Sequence, residues 1–333
     1  MVQIKSPVGA PHARILGVGG YRPSRVVTNE EICQTIDSSD EWIRTRTGIE
    51  QRRWATPDET VGVMSVSAAG KALAAAGVEA EQIGCVVIAT VTHLVQTPSL
   101  ATDVAHQLGA VNAVAFDISA ACAGFCTGLA LAQDMIRGGS AEYVLVIGVE
   151  RLSDMTDLHD RSTAFIFGDG AGAAVVGPSQ TPGIGPVAWG ADGSQYDAIG
   201  QTFSWDALKT QPGLGFPMLR MAGQQVFRWA SYQMVPVARQ AMQRAGVSAD
   251  ELDAFIPHQA NNRITDAMLK ALKLPAHVPV ARDIAKTGNT SAASIPLAME
   301  RMLEEGEAPH GGVALLIGFG AGLVYAAQVV VLP

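Results

Sequence analysis

The fold is decided by the stretch AFDISAACAGFCTGLALAQDM, which spans residues 115–135. Its first residues form a short apolar run typical of a buried strand, and an apolar helix pattern begins at about Ala123. Cys122 lies where the strand turns into the helix, among small residues that leave its sulfur accessible. The unpaired N–H groups and the positive dipole end of a helix favour the thiolate, which is the reactive form of cysteine. The alternative is an inert cysteine packed in a core turn.

Composition bounds the class of protein. With 333 residues, 48% hydrophobic and 16% charged, the chain can form one large or two ordinary compact domains. The net charge of −8 argues against nonspecific binding to nucleic acid, so an acidic partner would need a local basic patch. The four cysteines lack metal-ligand spacing, and neither a signal peptide nor a membrane-length apolar run is present. We therefore expect no metal site, no membrane association and a reducing, cytoplasmic location.

The order of elements around residues 115–135 is repeated later in the chain. Residues 1–180 and 181–333 each contain a helix that ends in AAG or RAG, a buried strand, a second helix, a strand that leads into a small-residue helix start, and a Gly-rich hairpin. VAFDISAACAG in the first half corresponds to VARDIAKTGNTSAAS in the second. This repetition predicts an internal duplication, with two similar α/β halves packed face to face.

Two polar residues of the second half stand at positions comparable to that of Cys122. His258 follows the apolar run DAFIP, and Asn289 lies at a helix start in GNTSAAS. If the halves are related by a pseudo-twofold axis, these positions meet Cys122 at the carboxyl edge of the sheets, where sites of α/β proteins collect. A thiol, an imidazole and an amide suit acyl transfer, with backbone N–H groups binding the oxyanion. The alternative roles are a helix-capping histidine and a turn asparagine.

A polar segment near the N-terminus combines an aromatic residue with several arginines. SSDEWIRTRTGIEQRRW carries the aromatic residue Trp42, together with Arg46 and other arginines. Such a segment is often ordinary surface, but it also suits a nucleotide, which would stack on the indole while arginines contact its phosphates.

Six motifs together resemble a known family. They are SSDEWIRTRTGI, DISAACAGF, FGDGAGAAV, IPHQANNRI, GNTSAASIP and GFGAG, and they resemble the β-ketoacyl-acyl carrier protein synthase III enzymes of the thiolase superfamily, above all actinobacterial members. The resemblance implies an α/β, thiolase-like five-layered αβαβα fold of two duplicated halves, and a homodimer. It also implies a decarboxylating Claisen condensation of an acyl-CoA starter with malonyl-acyl carrier protein, the first condensation of fatty-acid synthesis. Acyl-CoA would be a substrate, and no cofactor is implied.

The resemblance assigns roles to the residues of the reaction site. Cys122 takes the acyl group, while His258 and Asn289 stabilise the developing oxyanion as malonyl loses CO₂. The backbone N–H groups of Cys122 and Ala321 form the oxyanion hole for the acyl group, and Phe319 walls the decarboxylation site. The family commonly has glycine where this chain has Ala321, but we expect little effect because only the backbone donor is used.

The resemblance also assigns two binding surfaces. The CoA nucleotide would be held by Trp42, Arg46 and Arg161, with adenine stacked between Trp42 and Arg161. The acidic carrier protein would dock on a basic patch made by Arg228, Arg263 and Lys270. The last two are seven apart in a predicted helix and so share one face.

One position bears on the choice of starter. Before Pro98, acetyl-selective members of the family carry a bulky aromatic residue that closes the acyl pocket, whereas this chain has Thr97. The smaller side chain predicts that branched or longer acyl groups are accepted.

Several other activities share parts of this pattern. A degradative thiolase normally uses a cysteine in the second half, and here all four cysteines precede residue 127. A starter-unit or ester-forming relative from a polyketide pathway keeps the same Cys–His–Asn set and stays open. A thiol hydrolase or a noncatalytic partner subunit is also compatible with parts of the pattern, although the latter typically loses the nucleophile.

Overall fold

A computed structural model describes residues 4–211 and 213–333. Its strands are β1 (His12–Tyr21), β2 (Arg25–Thr28), β3 (Gln51–Trp54), β4 (Ile83–Ala89), β5 (Val114–Ile118), β6 (Tyr143–Arg151), β7 (Asp169–Ser179), β8 (Ala188–Ala191), β9 (Ile199–Gln201), β10 (Leu219–Met221), β11 (Ala254–Pro257), β12 (Val313–Gly320) and β13 (Val324–Val331). The α-helices are α1 (Asn29–Ile32), α2 (Asp40–Thr47), α3 (Val61–Ala76), α4 (Leu100–Leu108), α5 (Gly124–Gly138), α6 (Ala207–Thr210), α7 (Gly223–Ala245), α8 (Asn262–Leu272), α9 (Ile284–Thr287) and α10 (Ser294–Glu304). Within the described ranges, no helix is long and apolar enough to cross a membrane.

The elements stack in five layers. A sheet with strand order β1-β7-β6-β4-β5 and a sheet with order β11-β12-β13-β8 enclose the apolar helices α5 and α10. Helices α3 and α4 cover the outer face of the first sheet, and α7 and α8 cover that of the second. The αβαβα architecture implied by the resemblance is therefore confirmed.

The two sheets share one topology. In each, two parallel strands (β4 and β6, or β11 and β12) are followed by antiparallel neighbours. The counterpart of β5 was predicted as a strand around Val280, but it is reduced to a single bridge between Phe255 and Val280. Phe255 exchanges backbone hydrogen bonds with Pro279 and Ala281 there. Pro279 lacks an N–H group, so the ladder does not extend.

The two halves repeat one unusual turn. A 3₁₀ turn over residues 121–123 precedes α5, and another over 291–293 precedes α10. Each begins with a non-glycine residue in left-handed conformation, Ala121 with φ 45° and Ser291 with φ 47°. Cys122 in the first turn thus corresponds to Ala292 in the second. This shared backbone supports the duplication at the level of single residues.

Glycines let these turns approach the opposite sheets. A Cβ on Gly318 of β12 would lie 2.8 Å from the carbonyl oxygen of Cys122, and a Cβ on Gly148 of β6 would clash with that of Ala292. The FGDGAG segment was predicted as a Gly-rich bend between two strands, but Gly170 and Gly172 lie inside β7 and Gly168 directly precedes it. Gly172 is there because a Cβ would lie within 2.7 Å of Pro296 in α10.

Candidate active site

Cys122 occupies the predicted position between strand and helix. It lies in the 3₁₀ turn that links β5 to α5, two residues before the first α-helical residue. Gly320 packs directly against it, so that a Cβ there would lie 2.9 Å from both the backbone nitrogen and the sulfur of Cys122. The adjacent residue Ala321 lines a cavity with Cys122, and its φ is not positive, whereas that of Gly322 is 129°. The turn therefore accepts alanine at position 321, as expected.

The expected preference of Cys122 for the thiolate form is wrong for this environment. Burial raises the pKa of the thiol to about 12, the negative charge of Glu150 acts in the same direction, and a hydrogen bond with the Ser291 hydroxyl opposes both. The loss of water around the sulfur therefore opposes ionisation of the thiol. Deprotonation of Cys122 therefore needs a proton acceptor.

His258 follows β11 and is 2% exposed. Its backbone N–H donates to the carbonyl of Ile317. Burial lowers the pKa of the imidazole to about 3. Nδ1 lies 2.7 Å from the hydroxyl of Ser294, which also accepts the backbone N–H of Gln259 at 3.4 Å. Because the Ser294 hydroxyl has no other acceptor among the described residues, its proton is assigned to the bond with Nδ1, which leaves the ring proton on Nε2. His258 is a neutral donor at Nε2.

Asn289 is held by contacts from both halves. Its backbone N–H donates to Ile166 and its carbonyl accepts from Gly168, so residue 289 pairs with the segment before β7. Its Oδ1 accepts the backbone N–H of Ser291 at 2.8 Å. Because the oxygen is engaged, the amide NH₂ is left as the donor available to a ligand.

One cavity brings these side chains together. The front cavity, of about 940 Å³, is lined at its base by Cys122, His258, Asn289 and Phe319. The Phe319 ring lies edge-on to the His258 imidazole, with centroids 5.4 Å apart. The cavity therefore holds a nucleophile beside two neutral hydrogen-bond donors, with an aromatic wall. This is a set suited to attack on a thioester carbonyl and to stabilising an enolate oxygen.

The predicted nucleotide residues also line the front cavity. Trp42, Arg46 and Arg161 are all among its lining residues. The guanidinium of Arg161 lies over the Trp42 ring at 5.3 Å from its centroid, and that of Arg46 at 5.8 Å. A nucleobase stacked between the guanidinium and the indole needs the two planes to be about 7 Å apart, twice a contact distance of about 3.5 Å. Arg161, whose Nε donates to the carbonyl of Asp37, must therefore move to admit adenine.

The three cations predicted to bind the carrier protein are exposed and lie on two helices that pack against each other. Arg228 is on α7, while Arg263 and Lys270 are on α8, which packs against it. The Arg263 guanidinium lies 5.2 Å from the centroid of Phe227. Across the described part of the chain, none of the three cations forms an ion pair. Their charges are therefore not neutralised by carboxylates of the described residues.

A second cavity opens on the other side of Cys122. This rear cavity, of about 730 Å³, is lined by Cys122, Ser291 and Ala321 together with apolar side chains such as Leu152 and Met155. Thr97 does not line it; the residue is exposed on the loop between β4 and α4. Within a single chain, the structure therefore does not bring Thr97 to the nucleophile.

Three polar residues of the site were missed by the sequence reasoning. Ser294 orients His258, and Ser291 links Cys122 to the buried carboxylate of Glu150. Glu150 ends the apolar run EYVLVIGVE as His258 ends DAFIP, so the same rule would have found it. The two serines lie in the GNTSAAS motif, but their partners are apparent only in the fold.

Family models match both halves of the chain. The model described as 3-oxoacyl-[acyl-carrier-protein (ACP)] synthase III matches residues 116–193, and its C-terminal counterpart matches residues 242–332. A β-ketoacyl-[acyl-carrier-protein] synthase III from Streptomyces coelicolor is 63% identical, with both chains covered completely. A mycobacterial β-ketoacyl-[acyl-carrier-protein] synthase III from Mycobacterium avium is 54% identical over 100% of this chain and 99% of the relative.

Solved structures are similar over the same length. The priming β-ketosynthase of the R1128 polyketide biosynthetic pathway superposes with a TM-score of 0.97 at 52% identity, covering 100% of this chain and 99% of the other. The 3-oxoacyl-[acyl-carrier-protein] synthase III from Aquifex aeolicus gives a TM-score of 0.88 at 40% identity, with 96% and 99% covered.

Proposed function

The chain belongs to the 3-oxoacyl-[acyl-carrier-protein] synthase III family, and we propose that it performs the reaction of that family with Cys122, His258 and Asn289. It is an acyltransferase that condenses an acyl-CoA starter with malonyl-acyl carrier protein, with loss of CO₂. The observation that carries the residue assignment is that one cavity has the thiol and both neutral donors at its base and Trp42 among its other lining residues.

The reaction proceeds in two halves. The Cys122 thiolate attacks the thioester carbonyl of acyl-CoA, the N–H groups of Cys122 and Ala321 bind the oxyanion, and CoA leaves. Malonyl-acyl carrier protein then enters, and its thioester oxygen accepts hydrogen bonds from His258 Nε2 and the Asn289 amide. Loss of CO₂ yields an enolate, whose carbon attacks the acyl group on Cys122. Neutral donors suit this step because an enolate oxygen is stabilised by hydrogen bonds without a proton being transferred. Acyl-CoA is a substrate, and no cofactor takes part in this scheme.

The rear cavity suits the acyl chain of the starter. Its apolar lining and its contact with Cys122 support this use. The proposed pocket has room for chains longer than acetyl. The pathway is fatty-acid synthesis in this proposal, and priming of a polyketide is a second candidate, favoured by the likeness to the R1128 ketosynthase. Both use the same chemistry and differ in the partner carrier protein.

We also propose a homodimer in a reducing cytoplasm. Strand β5 is the edge of the first sheet, and apolar side chains beside it are exposed, including Val111 at 76% and Val114 at 54%. An uncovered edge with apolar residues favours pairing with a second copy. Thr97 lies on an exposed loop near this edge, so any action of Thr97 on acyl selectivity would cross the interface. The four cysteines are free thiols, in keeping with a reducing compartment.

The test is intact-protein mass after mixing with acyl-CoAs from acetyl to long chains, with Cys122→Ala as the control. A Cys122-dependent adduct that malonyl-acyl carrier protein converts to a β-ketoacyl product is the expected result, and the best-loaded acyl group identifies the starter. An adduct that hydrolyses in water alone would identify a hydrolase instead. The absence of any adduct would refute the use of acyl-CoA.

A further inference from the structure

Glu150 is a fully buried carboxylate near the end of β6. Its Oε2 accepts hydrogen bonds from Thr92 Oγ1 at 2.8 Å, from the N–H of Val91 at 3.1 Å and from Thr90 Oγ1 at 3.3 Å. Its Oε1 accepts the hydroxyl of Ser291 at 3.1 Å. Within residues 4–211 and 213–333, no cation pairs with it. A buried acid without a counter-charge is costly, so a structural role alone is a poor explanation.

Ser291 connects this carboxylate to the nucleophile. Its hydroxyl donates to Oε1 of Glu150 at 3.1 Å, and Ser291 lines the rear cavity beside Cys122, whose thiol pKa it lowers. The hydroxyl is not needed for the strained turn, because Ala121 holds the same conformation at the equivalent place in the first half, with φ 45° against 47°. The contact with Glu150 spans 141 positions of sequence and joins the two halves beside Cys122.

We propose that Glu150 is the proton acceptor for Cys122, reached through the hydroxyl of Ser291. This inference rests on the proposed function, since it concerns the first half-reaction. Ser291 takes the thiol proton as it passes its own proton to the Glu150 carboxylate, and the thiolate attacks the thioester. The bond from the acyl carbon to the CoA sulfur breaks, and the CoA thiolate takes a proton from solvent.

The second half-reaction restores the relay. When the carbon nucleophile attacks the acyl group, the bond from carbon to the Cys122 sulfur breaks and the sulfur leaves as a thiolate. Glu150 then returns its proton through Ser291 to that sulfur. Over the whole cycle, the one proton consumed from solvent is carried away on CoA, so protons and electrons balance.

The surroundings of Glu150 suit both transfers. Burial raises the pKa of its carboxyl to about 7, against hydrogen bonds from Thr92, Val91, Ser291 and Thr90. A group that titrates near neutrality can accept a proton and give it back. His258 is a poor alternative base, because its pKa is lowered to about 3. Among the described residues, Cys122 is the titratable group on which the charge of Glu150 acts.

The test compares Glu150→Gln and Ser291→Ala with wild type in single-turnover acylation of Cys122. The adduct is measured by mass spectrometry between about pH 5.5 and 8.5. Both variants are expected to slow acylation by about 100-fold, the low end of a general-base effect, and to lose an inflection near pH 7. Malonyl-acyl carrier protein decarboxylation is expected to stay within about twofold, because Asn289 is oriented by the backbone of Ser291 and not by its hydroxyl. The matched control is Asp169→Asn, a buried carboxyl on β7 bonded to Ser153 and not to the site.

If Cys122 of the Glu150→Gln variant is acylated at a rate within about threefold of wild type, and the pH inflection is unchanged, the relay is overturned. An equal loss in Asp169→Asn would also overturn it, since burial of any acid would then explain the result. If Glu150→Gln does not fold, Ser291→Ala carries the test, because alanine already fits the equivalent turn at Ala121. A wild-type chain without any Cys122 adduct would instead refute the proposed function, and the relay with it.

Discussion

Replacing Gly320 by alanine is expected to slow acylation of Cys122 while leaving the fold in place. Gly320 has φ −173°, which any residue adopts, so the effect is steric. The new Cβ would lie 2.9 Å from the nitrogen, 2.9 Å from the sulfur and 3.0 Å from the Cβ of Cys122. Because three atoms are crowded at once, a change of the cysteine rotamer does not relieve the clash.

The size of the effect follows from the distances. An ordinary carbon contact is about 3.5 Å or more, so the nucleophile must move by roughly 0.6 Å or more. A misplacement of about 1 Å costs on the order of 100-fold in rate, and we therefore expect a 10- to 100-fold loss, or about 1.4–2.7 kcal/mol of barrier. Overpacking is expected to lower the free energy of unfolding by about 1–3 kcal/mol.

The assay is rapid-quench mass spectrometry of the Cys122 adduct with a saturating acyl-CoA. Thermal unfolding is measured in parallel. Gly70→Ala is the control, because no atom lies within 4 Å of a Cβ at that position on α3. An acylation rate for Gly320→Ala equal to that of wild type would show that the contact with Cys122 does not position the sulfur, and would refute the reasoning.

Four further outcomes are expected. Ser294→Ala should slow malonyl decarboxylation about tenfold and spare acylation, because Nδ1 of His258 loses the partner that fixes its tautomer; equal losses in both steps would contradict this. Since the pKa of His258 is lowered to about 3, the imidazole is neutral above that pH, and the decarboxylation rate should be flat from about pH 5 to 8 in a pH–rate profile. Lys270→Glu should raise the KM for malonyl-acyl carrier protein several-fold at low salt without changing acylation by acyl-CoA, and loss of the difference at high salt would confirm its electrostatic origin. Thr97→Phe should shift the loaded acyl group toward acetyl in the mass assay, and an unchanged preference would remove Thr97 from the specificity determinants.

Much of the site could be predicted because its residues precede helix starts. Cys122 and His258 each follow a strand, whereas Asn289 follows the short helix α9, and the duplicated fold brings the three positions together. The pattern alone predicted two similar α/β halves, and the resemblance to the family implied the five layers. The sequence reasoning failed where a contact depends on distant residues, as with Glu150 and Ser291.

Other errors had local physical causes. The strand expected around Val280 does not extend because Pro279 interrupts the backbone ladder. The glycines of FGDGAG predicted a bend, but Gly170 and Gly172 instead admit α10 against β7. The thiolate expected at Cys122 is opposed by burial, which the pattern of small residues around it did not convey.

The central layer has a consequence for synthesis of the chain. Its apolar cluster takes residues from both halves, such as Val146 and Ile295, so residues 1–180 alone leave one face of their sheet and of α5 uncovered. A ribosome that adds about 5–20 residues per second needs roughly 8–30 s to make residues 181–333. Throughout that interval the nascent first half presents its future interior to solvent.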